Sequence, residues 1–232
     1  MLENKRIIKK SNYFLLSVLI LLNNLMLIRI IFTFSFHRII THETIWSFFL
    51  SSFYLISIFI SDSYLYLFNS TKFEKFNDYI RNSFSIIAYS YCYSITIEFW
   101  AILFIGLTFG KNPFSEKKPF SFKLFLEALY LHFGITVIML IDLILTKRGI
   151  CKKNNKIILI INVIYFSYSI IVILAKYVFF MPAYPFMKNF GISLMILIFI
   201  FSFMLINICY YLHLFLVRLI NDKNSVYNKK IS

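Results

Sequence analysis

Residues 157–180 read IILIINVIYFSYSIIVILAKYVFF, twenty-four positions with a single charge, Lys176. As an α-helix rising about 1.5 Å per residue this stretch is about 36 Å long, enough to cross a hydrocarbon core about 30 Å thick. A membrane-spanning strand would instead alternate apolar and polar residues over about ten positions, and Ile157–Tyr165 does not alternate. Lipid satisfies no backbone donors or acceptors, so the segment must satisfy its own, and a helix does so.

Five further stretches carry the same signature, at about 12–36, 44–68, 84–109, 122–145 and 192–220. Together the six occupy most of the 232 residues, and the composition agrees: 60% hydrophobic, 20% aromatic, 15% charged, mean hydropathy +0.77. The expected fold is all-α, a single polytopic domain over 1–232 with about six transmembrane helices. Five Gly and four Pro exclude collagen-like and Gly-rich phosphate-binding designs, and 29 Phe with 16 Tyr exclude disorder. Lys5, Arg6, Lys9 and Lys10 precede the first span as in a signal peptide, but the apolar run outlasts an h-region and has no small-residue cleavage site, so a retained helix is expected.

Lys and Arg distribute unevenly over the loops. Sixteen fall on the side that takes both termini and the second and fourth loops, seven fall on the other side, and Arg29 lies within a span. The positive-inside rule then puts both termini in the cytosol. The same distribution accounts for the formal charge of +14. Short basic loops flanking spans meet anionic headgroups, and no contiguous basic face remains for a nucleic acid. Cys92, Cys151 and Cys209 are far apart with no C-x-x-C pair, which indicates neither a disulfide framework nor a zinc site.

Ionisable groups inside hydrocarbon are costly and mark candidate sites. Here they are Arg29, Asp62, Glu98, Glu127, His132, Asp142 and His213. Arg29 can snorkel, and Asp62 or Asp142 can anchor to cations at the cytosolic ends of their spans. His132 has a side chain suited to general-base work near neutral pH, and Gly134 and Thr136 leave the helix small and polar beside it. A packed core histidine fits the same facts. The serines of the second span (Ser51, Ser52, Ser57, Ser61, Ser63) read as helix-packing groups. No G-x-S-x-G elbow and no H-E-x-x-H helix occurs, and His37 and His42 are not on one helical face.

The sequence resembles the androgen-induced (FAR-17a-like) membrane proteins. Met181, Tyr184-Pro185-Phe186 and Gly191 are similar to the family's M-x-x-Y-P-F-x-x-x-x-G. His132 precedes Asp142 by ten residues, where the family has a His and then a Glu. Phe99-Trp100 matches its Phe-Trp, and Thr44 precedes Asp62 by the family's eighteen residues. The resemblance covers about residues 40–191. It implies an endomembrane threonine hydrolase that cleaves fatty acid esters of hydroxy fatty acids, with Thr44 as nucleophile and His132 as base. Alignment on Trp46 instead brings Ser51 next to the nucleophile position, which makes Ser51 the second candidate. On the span boundaries above, Thr44 lies at the membrane surface and His132 about 15 Å deeper.

The implied substrate is a lipid ester entering from the bilayer. Glu98 and Glu127 are candidates to orient His132, and Tyr184 is a further binding candidate. No cofactor is expected, and no ligand set has metal spacing. The competing reading is a transporter, channel or non-catalytic scaffold in which Glu98, His132 and Asp142 form a polar path or helix contacts.

Overall fold

The computed structural model of the protein describes residues 10–33, 42–68, 71–108, 126, 129–145, 154–181, 187–188 and 190–231. Among them every regular element is helical. Helix α1 is Lys10–Thr33, α2 is Glu43–Phe68, and α3 (Thr71–Tyr79) runs through a π-helical turn, Ile80–Phe84, into α4 (Ser85–Thr108). A second π turn, Tyr130–Gly134, leads into α5 (Ile135–Leu145). Helices α6 (Asn155–Tyr177) and α7 (Ile192–Ile231) complete the bundle.

Four segments are long and apolar enough to cross a membrane: Glu43–Tyr64, Glu74–Phe104, Asn155–Tyr177 and Ile192–Asn221. Two shorter apolar helices, Ser17–Phe32 and His132–Leu145, fall where the first and fourth spans are expected. The chain is an all-α integral membrane protein. Its centre is α2 and α4, whose apolar windows are 56% and 67% buried in the protein, against 33% for α6 and 22% for α7. The outward faces of α6 and α7, with Leu159, Phe166 and Ile170 and with Leu197, Phe201 and Phe215, are exposed and suited to lipid.

Two cations included in the loop count, Arg81 and Lys176, the latter near the end of its span, are inside the bundle. The third span's helix begins well before its apolar run, because hydropathy records contact with lipid whereas the helix is set by the backbone. Arg81 therefore sits in the π turn, 6% exposed. Lys176 lies in the last turn of α6, where it bonds the carbonyl of Phe190 and lies 4.9 Å from the centre of the Tyr177 ring. Helix α6 then ends in a left-handed residue, Phe180 (φ 55°), with the Met181 amide returning to the Ala175 carbonyl at 2.8 Å.

Polar contacts join the helices at intervals through the apolar core. Asn23 of α1 donates to Ser52 of α2 (2.7 Å), and Asn207 of α7 donates to Asn162 of α6 (3.1 Å). Bonds of this kind fix helix rotation where lipid gives no hydrophobic drive to associate.

Candidate active site

Helices α2, α4 and α5 meet along one seam. Residues spaced i, i+3, i+7, i+10 share a helix face, and α2 turns Thr44, Ser47, Ser51 and Tyr54 to the seam while α4 turns Tyr89, Cys92, Thr96 and Phe99. The fourth span contributes His132, Thr136, Met139 and Asp142. Polar side chains meet there in layers.

At one end, the Thr44 hydroxyl lies 3.4 Å from His132 Nδ1. Thr44 is 5% exposed, and the imidazole stacks on Phe99 with centroids 4.3 Å apart and planes at 15°. The two residues do not differ in depth as the span boundaries implied, because α2 starts below the end of the bundle. Its Glu43 amide donates to the Tyr168 hydroxyl at 3.2 Å, and Tyr168 is nine residues, about 14 Å, inside the end of α6. Trp46 packs edge-on against the same Tyr168 ring at 5.7 Å. The His42 carbonyl accepts the Ile45 and Trp46 amides (3.0 and 3.3 Å). His42 is thus the N-cap, and the Thr44 hydroxyl is directed to His132 instead of capping the helix.

His132 lies at the middle of the π turn Tyr130–Gly134. Such single-turn insertions occur often at functional sites. The Thr96 hydroxyl donates to the His132 carbonyl in this turn at 2.5 Å. Thr136 Oγ1 is 2.7 Å from Thr96 Oγ1 and 3.2 Å from the Cys92 carbonyl. Gly134 permits the turn to close on itself, since a Cβ there would come within 3.0 Å of the Tyr130 ring.

In the next layer Ser51 donates to the Ser47 carbonyl (2.8 Å) and meets Cys92 Sγ (2.8 Å), so its hydroxyl serves α2 and α4 and not the imidazole. At the far end Asp142 accepts from Tyr54 (2.7 Å) and Tyr89 (3.1 Å). Arg81 reaches Asp62 at 2.5 Å and Asp142 at 3.9 Å, while Asn77 bridges Arg81 (2.9 Å) and Asp62 (2.6 Å). Eighteen residues make five helical turns, which is why Thr44 and Asp62 project from one face of α2 to the two ends of the seam. His213 is fully buried and lies against the Tyr89 ring, with centroids 4.5 Å apart.

Glu98 faces away from the seam. Its carboxylate accepts from Ser94 at 3.2 Å, and Ser202 of α7 also hydrogen-bonds it. Near it is a residue overlooked in the sequence, Glu43, which is 6% exposed with Oε1 unbonded among the described residues. The two carboxyl groups are close enough to act on each other electrostatically. Position at the edge of an apolar run made Glu43 look like a loop residue. No carboxylate bonds His132 among the described residues, so Glu98 does not orient it directly. Among the described residues the hydrogen bonds of Glu98, His132 and Asp142 go to different partners: Ser94 for Glu98, Thr44 and Thr96 for His132, Tyr54 and Tyr89 for Asp142. Glu127, Tyr184, Pro185, Phe186 and Cys151 lie outside the described residues. Among the described residues no group of three or more His, Cys, Asp or Glu side chains is arranged to hold a metal ion.

Fold and seam together define a polytopic helical membrane protein with a hydroxyl–imidazole pair enclosed between three of its helices. A family model described as FAR-17a/AIG1-like protein matches residues 14–218, and the chain belongs to that family. No curated protein and no solved structure gives a significant match.

Proposed function

We propose that the protein is an intramembrane threonine hydrolase of lipid esters, fatty acid esters of hydroxy fatty acids being the substrate class its family suggests. The observation that carries the reading is the meeting of Thr44 and His132 at 3.4 Å, from helices eighty-eight residues apart in the chain. A threonine hydroxyl is a weak nucleophile until a base removes its proton. The distance is at the long end for a hydrogen bond, as is common for a catalytic pair without substrate.

In the proposed reaction His132 takes the Thr44 proton as the oxygen attacks the ester carbonyl. The tetrahedral intermediate collapses to an acyl-threonine, and the imidazolium returns the proton to the departing hydroxy fatty acid. Water, deprotonated by His132, then releases the acyl chain and restores the threonine. The start of α2 carries the positive end of the helix dipole, which favours an oxyanion at Thr44. The neighbouring cluster of Tyr168, Val172, Met187 and Met195, with Trp46, Phe190 and Phe199 packed on it, offers an apolar wall for an acyl chain. Substrate would enter laterally from the bilayer. An endoplasmic-reticulum or other endomembrane location and cytosolic termini complete the reading.

The test is purified protein in detergent, assayed for release of both fatty acids and for covalent labelling by a lipid-like serine/threonine hydrolase probe. Hydrolysis with labelling is expected; neither would remove the hydrolase reading in favour of a scaffold or transporter. Ser51→Ala is expected to label and hydrolyse within about threefold of wild type, since the Ser51 hydroxyl is engaged with Ser47 and Cys92. Labelling lost in Ser51→Ala but kept in Thr44→Ala would move the nucleophile to Ser51.

A further inference from the structure

Among the described residues no carboxylate, the third member usual in hydroxyl–imidazole chemistry, bonds the His132 ring. We infer that Thr96 is the positioning residue of this site, acting on the backbone of His132 through its hydrogen bond to the carbonyl at the centre of the π turn. The inference rests on the hydrolase reading for its kinetic consequence but not for its structural one.

The geometry is specific. His132 lies at the middle of the π turn Tyr130–Gly134, and Thr96 Oγ1 of α4 donates to its carbonyl at 2.5 Å. Thr96 has one proton, so toward Thr136 its oxygen can only accept, and the single Thr136 proton is shared between Thr96 Oγ1 at 2.7 Å and the Cys92 carbonyl at 3.2 Å. The resulting chain runs Thr136 to Thr96 to the His132 carbonyl and begins and ends on the helix that carries the base. One turn further along α4, Phe99 supplies the flat surface on which the imidazole lies at 4.3 Å. Thr96 fixes where the His132 backbone sits and Phe99 fixes the plane of the ring, and together they direct Nδ1 to Thr44. Val at position 96 keeps the shape and deletes the donor to the His132 carbonyl.

The experiment compares wild type, Thr96→Val and Thr96→Ser in detergent by three readouts. Thr96→Val is expected to lower kcat for ester hydrolysis by about ten- to a hundredfold with KM nearly unchanged, the loss typical of a misplaced catalytic group. Thr96→Ser, which keeps the hydroxyl, is expected to restore most of it. The second readout is the NMR spectrum of histidine-labelled protein, in which the His132 ring protons, assigned by their loss in His132→Asn, are displaced upfield by the Phe99 ring. Thr96→Val should abolish that displacement and Thr96→Ser should keep it. Thermal unfolding, the third, should differ little between the two variants. A Thr96→Val protein with wild-type kcat, or with the displaced histidine signal intact, overturns the inference. If wild type hydrolyses no ester while Thr96→Val still loses the displaced signal, the positioning role stands and the hydrolase reading falls.

Discussion

Thr44→Ala and His132→Ala are each expected to cut ester hydrolysis by about a hundred- to ten-thousandfold, the range for removing a positioned base or its nucleophile. Combining them should cost little more than either alone, because the two residues act on one proton and their effects do not add. Thr44→Ser retains an oxygen beside His132 and should keep measurable turnover. Neither residue belongs to the charged layer that ties the helices at the other end of the seam, so both Ala variants should fold and purify like wild type. The decisive measurement is the rate per folded molecule together with probe labelling. An Ala at 44 that labels and turns over normally would take Thr44 out of the chemistry.

Arg81→Met is the substitution expected to damage the fold most. The guanidinium lies between Asp62 at 2.5 Å and Asp142 at 3.9 Å, one cation serving two carboxylates on separate helices. Removing it leaves both acids inside the bundle without their counter-charge, and breaking a buried ion pair from one side costs about 3–5 kcal/mol. The variant should unfold at clearly lower temperature in detergent, or fail to accumulate in the membrane. Arg81→Lys keeps the charge but not the fork of donors and should fall between the two. Adding Asp62→Asn and Asp142→Asn to Arg81→Met should restore much of the loss, because no uncompensated charge remains. Unfolding of Arg81→Met at the wild-type temperature would show that the network is not what holds this end together.

The two ends of the seam differ in how much of them the sequence revealed. Asp62 and Asp142 stand out as acids in apolar runs, and an anchoring role for them is natural, but their partner was hidden. Arg81 precedes the apolar stretch and looks like one more loop cation, since hydropathy gives no sign that its helix has already begun inside the protein. Glu43 was concealed in the same way at the start of α2. His132 stands out as an ionisable group in an apolar run, and Thr44 only through the resemblance to the FAR-17a-like family. Their encounter was not predictable from span boundaries, because those boundaries assume that each helix begins at the membrane surface, and α2 does not.

Thr96 and Thr136 illustrate another kind of concealment. In a chain with so many hydroxyls, a threonine acquires meaning only from what it faces. Its facing depends on a π turn that has no local sequence signal beyond the permissive Gly134.

The amino-acid sequence by itself determined the solvent of this protein and therefore its class of fold. Long apolar runs in lipid have to satisfy their own backbone groups, and helices follow without any knowledge of tertiary contacts. Rotation and depth of those helices were decided only in the tertiary structure. Both depend on sparse interhelical bonds such as Asn23 to Ser52, Glu43 to Tyr168 and Arg81 to its two aspartates, made between residues that are distant in the chain and meaningful only as pairs. Lipid-facing apolar side chains are nearly indifferent to how a helix turns, so the few polar pairs fix its rotation, and with it the place where Thr44 meets His132.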